Sequence, residues 1–97
     1  MGIDFLDCCF RIEEEFGLSR LDLDIEKLDV PRNEKGTLIG ATASDVTRWV
    51  ESSIVAQGKE APVGVWPRVR SCIADTVSIP PDKVAPTSRL IEDLGFT

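Results

Sequence analysis

Residues 2–16, GIDFLDCCFRIEEEF, decide how the chain is read. Apolar side chains at Ile3, Leu6, Cys9, Phe10, Ile12 and Phe16 recur at spacings of three and four, the period of one helix face. Asp4, Asp7, Glu13, Glu14 and Glu15 fall mostly off that face, with Arg11 the only cation among them. The spacing predicts an amphipathic helix over 2–16, with Gly17 as its terminator.

Outward from this helix, residues 18–41 are the least regular part of the chain. LDLDIEKLDVP alternates apolar with acidic residues and is compatible with a short strand or an irregular helix. Pro31 interrupts it, and Asn33, Gly36 and Gly40 mark turns. A long loop with one short ordered piece is expected. Residues 42–55, TASDVTRWVESSIV, predict a second helix, capped by Thr42 or Ser44 and apolar along Val46, Trp49, Val50 and Ile54. Residues 56–64, AQGKEAPVG, have linker composition. A third helix is expected over 67–78, with Pro67 at the first helical position, where a missing N–H costs nothing, and Val69, Cys72, Ile73 and Val77 on its buried face. Pro80 and Pro81 end it. TSRLIEDLG then suits one short helical turn, capped by Thr87 or Ser88 and packed down by Leu90, Ile91 and Leu94. Helical stripes without strand pairs imply an all-α fold, a small bundle of three or four helices in a single domain spanning 1–97.

Composition narrows the function. Ninety-seven residues suffice for one modest core, and 42% hydrophobic content sets the chain apart from disordered sequences. The net charge of −6 repels phosphate backbones and argues against nucleic-acid binding, in favour of basic protein partners. No apolar run approaches the roughly 20 residues that span a bilayer, and the N-terminus does not have the pattern of a secretory signal. Cys8, Cys9 and Cys72 are odd in number, with two adjacent, which does not suit a disulfide framework and fits a reducing cytoplasm. With no His anywhere and only three thiols, no metal site is expected. Lack of His also removes the commonest general base, and no nucleophile elbow or phosphate-binding loop is present, so an enzyme is not expected. Trp49 and Trp66 suit core or linker packing better than an acyl pocket.

The segment VWPRVRSCIADTVSIPPDKVAPTSRLIEDLG, with Val69, Ile73, Val77, Ile79, Val84 and the run Leu90-Ile91-Glu92-Asp93-Leu94-Gly95, resembles the opening of an acyl carrier protein. In that family the Asp-Leu-Gly run leads into Asp-Ser-Leu and an acidic second helix. Here that continuation stands at the N-terminus: GIDFLDCCFRIEEEFG is similar to the family's second helix, which typically ends in Glu-Glu-Glu-Phe, and 42–55 resembles its last helix. Joined end to end across Met1, the text reads LIEDLGFT-GIDFLDCCFRIEEEFG in unbroken register. The segments would then be in circularly permuted order, with 56–64 linking the family's usual termini. Excision from a tandem array, or exchange of segments in a domain-swapped dimer, yields the same order. Residues 18–41 have no counterpart.

The resemblance implies a role in fatty-acid or polyketide-type acyl metabolism. Carriers hold a 4'-phosphopantetheine arm on a serine at the start of the second helix, where free N–H groups favour a phosphate. In the joined register Gly2 occupies that serine position and Thr97 precedes it. Glycine offers no nucleophile, so no cofactor is expected unless another hydroxyl, such as that of Thr97, serves. What the resemblance leaves is docking: Asp4, Asp7, Glu13, Glu14 and Glu15 would meet basic patches on acyl-transfer or synthase enzymes. The alternative is an acidic structural or interaction domain unrelated to acyl transfer, monomeric or a swapped dimer.

Overall fold

The computed structural model describes residues 3–19, 40–60 and 63–96, and over these the protein is an all-α bundle. Its helices are α1 (Ile3–Phe16), α2 (Ala43–Ala56) and α3 (Val65–Thr76), followed by a 3₁₀ turn at Pro81–Lys83 that the sequence reading did not anticipate. The irregular piece expected in 18–41 lies outside the described residues apart from its two ends.

The helix ends have clear chemical causes. Gly17, at φ 66°, closes α1, and the Leu18 amide reaches back to the Glu13 carbonyl at 2.9 Å. Gly58, at φ 76°, does the same for α2, with the Lys59 amide on the Ile54 carbonyl. Both are the Schellman geometry, in which a left-handed residue lets the chain satisfy the last free carbonyls. α3 ends in the same pattern on a serine: Ser78 is at φ 58°, and the Ile79 amide bonds the Ala74 carbonyl at 3.1 Å.

At its start α2 is capped by Thr42, as expected. The Asp45 amide donates to Thr42 Oγ1 at 3.2 Å, and the Thr42 amide donates to Asp45 Oδ2 at 3.0 Å, a reciprocal capping box. The next free amides are taken by the loop after α3: Ala43 donates to the Ser88 carbonyl and Ser44 to that of Pro86, both at 2.9 Å. Leu90 returns a bond to the Ala41 carbonyl at 2.8 Å, which leaves one isolated bridge between Thr42 and Arg89.

Three expectations are corrected here. α3 begins at Val65 and ends at Thr76, two residues earlier than expected at both ends, so Pro67 is its third residue; it still lies in the first turn, where amides lack helical partners. The Ser88 hydroxyl does not cap a following helix but accepts from the Ala85 amide at 2.9 Å. The 89–95 segment is a single turn closed by the Asp93 and Leu94 amides on the Arg89 carbonyl, and its Ile91 is exposed while Leu90 is buried.

α3 is the centre of the bundle, packing against both α1 and α2 and against the 3₁₀ turn. Val69, Ile73 and Ala74 of α3 are fully buried, and Val46, Val50 and Ile54 of α2 and Ile12 of α1 close over them in one core cluster. α1 and α3 run antiparallel. Cys8 meets Thr76 near one end, and Glu15 meets Arg68 near the other. Phe5 of α1 stacks on Trp49 of α2 at 5.9 Å between ring centres, so Trp49 is a core residue.

Candidate functional site

The core face of α1 is Phe5, Cys8, Cys9 and Ile12, with Phe16 packed at its edge. This corrects the expected stripe: Cys9, Ile12 and Phe16 belong to it, but Ile3 is 80% exposed and Phe10 58% exposed, and Leu6 is half-buried. The physical reason is that α1 carries two apolar stripes. Residues 5, 8, 9, 12 and 16 form one, and residues 3, 6 and 10 form a second on another side. Both have helical spacing, so periodicity cannot say which one meets the core. The second stripe faces outward and runs on to Glu14, four residues beyond Phe10.

The five carboxylates do not form a uniform acidic face. Asp4 is half-buried in the first turn, where negative charge suits the helix dipole. Asp7 accepts from Arg11 Nε at 3.2 Å. Glu15 is held by Arg68 of α3: Nε donates to Oε1 at 2.9 Å and Nη2 to the Glu15 carbonyl at 2.7 Å, with the guanidinium 4.4 Å from the centre of the Phe16 ring. That arrangement ties the C-terminus of α1 to α3 and directs Glu15 away from the outward stripe. Glu13 is half-buried, and its Oε2 is enclosed without a hydrogen bond among the described residues. Glu14 is exposed. The structure thus brings Asp7 and Glu14 beside the outward apolar stripe and takes Glu15 to a different contact.

Gly2 and Thr97, the residues at the family's attachment position, lie outside the described residues. None of the three cysteines is in a disulfide and all are buried, Cys8 included, though the sequence marks only Cys9 and Cys72 as core. Burial pushes the Cys8 thiol up to about 12 and the Cys72 thiol up to about 11, so both stay protonated and are poor nucleophiles. No group of three His, Cys, Asp or Glu side chains among the described residues is placed to hold a metal ion. No helix among them is long and apolar enough to cross a membrane.

The sequence does not show Ile3 and Phe10 as surface groups; Arg68 is a candidate to pair with an acidic neighbour, but its partner, Glu15, is not identifiable. The i, i+4 spacing of Asp7 and Arg11 signals their pairing, whereas nothing local to Arg68 announces a contact with Glu15, 53 positions away. No protein-family profile matches the chain, and no curated protein or solved structure matches it.

Proposed function

We propose that this is a carrier-like helical domain that docks onto acyl-handling enzymes through the outward face of α1 and carries no phosphopantetheine of its own. The observation that bears the docking is the exposure of Ile3 and Phe10 on one helix face beside Glu14. Large apolar side chains left open in a short chain, rimmed by polar ones, are the composition of an interaction surface. The absence of an arm rests on Gly2, which stands where the resembled family has its serine and offers no oxygen for a phosphodiester.

A single reaction mixture tests both halves. The chain is added to an authentic acyl carrier protein, coenzyme A and a broad-specificity phosphopantetheinyl transferase, and both proteins are followed by intact mass. The expected outcome is an unchanged mass for this chain together with slowed loading of the carrier, through competition for the transferase. Gain of one phosphopantetheine would overturn the armless reading. No gain and no competition would remove the docking.

The second reading is an interaction domain outside acyl metabolism. The retention of Asp7 and Glu15 by the chain's own arginines favours it, because charges already partnered contribute less to steering towards basic enzymes.

A further inference from the structure

The outward face of α1 carries a charge arrangement with its own consequence, and the inference drawn from it rests on the docking reading above. Ile3, Phe10 and Glu14 lie along one line, and Asp7 sits beside it within the same turns. Asp7 and Arg11 are each about half exposed, at 45% and 44%, so both reach the same surface that Ile3 and Phe10 open onto. The Asp7 carboxylate accepts from Arg11 at 3.2 Å. Glu15 is occupied by Arg68, and Glu14 is exposed with no ion pair among the described residues.

We propose that Arg11 is a specificity-determining residue of this face: by holding Asp7 it leaves Glu14 as the open carboxylate of the Ile3–Phe10 line, and so selects a partner helix that brings an apolar face and a single Lys or Arg over one that is polybasic. The occupant follows from charge complementarity. A second copy of this chain would oppose like charges, −6 against −6. A wholly apolar surface would bury the Glu14 carboxylate unpaired, at a large desolvation cost. A polybasic helix would set a cation against Arg11. An apolar helix with one cation aligned to Glu14 meets none of these penalties. The ion pair is exposed and adds little stability; it selects because the Arg11 charge offsets that of Asp7 beside the apolar contact.

Two fluorescently labelled synthetic helices with the same leucine face, one bearing a single lysine and the other four, provide the test by anisotropy. The chain is expected to bind the single-lysine helix about fivefold more tightly than the four-lysine helix, with shallow salt dependence for both, because the added lysines face the Arg11 charge. In Arg11→Gln, binding of the four-lysine helix should tighten by roughly fivefold at low salt and become steeply salt-dependent, as Asp7 is freed at close range. The single-lysine helix should change little. Arg11→Lys should restore the parent behaviour, and Phe10→Asp should abolish binding of both helices while circular dichroism stays unchanged. Equal responses of the two helices to Arg11→Gln, no response, binding that survives Phe10→Asp, or no binding by the parent chain would each overturn the proposal. So would concentration-dependent self-association through α1. The synthetic helices belong to no acyl-handling enzyme. Failed competition with intact peptide discrimination would therefore remove only the acyl context, and successful competition without discrimination would remove only the role of Arg11.

Discussion

Ser78 holds the left-handed conformation that the ends of α1 and α2 give to Gly17 and Gly58. At φ 58° a side chain meets the following carbonyl, a cost of about 1–2 kcal/mol for an ordinary residue. Ser78→Gly should therefore stabilise the protein by about 1 kcal/mol, read as a higher urea midpoint at unchanged slope. The cysteines give a prediction in pH. Cys8 is raised to about 12 mainly by burial, against a hydrogen bond with Thr76 that lowers it; Cys72 is raised to about 11, also mainly by burial. A thiol whose folded pKa lies above its unfolded value of 9.0 favours the folded state while it stays protonated. That contribution is fully present below pH 9 and is lost as pH rises through the folded values. Denaturation series from neutral pH to pH 11 should show a decline that begins above 9, and Cys8→Ala with Cys72→Ala should flatten it. Below pH 9 a thiol reagent should modify the native protein only as fast as the protein opens.

At the scale of elements, α2 is anchored at its start by a reciprocal capping box. Thr42→Ala removes the side-chain half of the capping box and should cost about 1 kcal/mol, measurable by thermal or urea unfolding. The helices themselves are legible in the sequence because each has a stripe of period three to four and a capping or terminating residue: Thr42 before α2, Gly17 after α1. The boundaries of α3 were displaced because Pro67 suggests a first position, whereas the helix starts at the buried Val65, a choice made by tertiary contact. The orientation of α1 was not legible. Phe10 and Phe5 are equally apolar, and only the packing of Phe5 on Trp49 decides which turns inward. The candidate site is visible in the sequence as an acidic helix; its apolar centre is not, because α1 has two apolar stripes of the same period.

In the whole molecule, α3 lies between the other two helices, so damage to it should be felt everywhere. Ile73→Ala, at a fully buried position of α3, should cost about 2–5 kcal/mol, a large share of what a domain this size has. The measurement is the unfolding midpoint, and α1 and α2 should melt together with α3. The same centrality has a consequence in time. α1 and α2 both precede in the chain the surface that they pack against, residues 65–76. A ribosome would hold two apolar-striped segments, too short to be stable helices alone, until the third emerged, and closure would then require contacts between positions as far apart as Glu15 and Arg68. Folding should accordingly wait until residues 65–76 have left the ribosome, and a polypeptide of residues 1–60 should show little stable helix and bind chaperones that recognise exposed apolar segments.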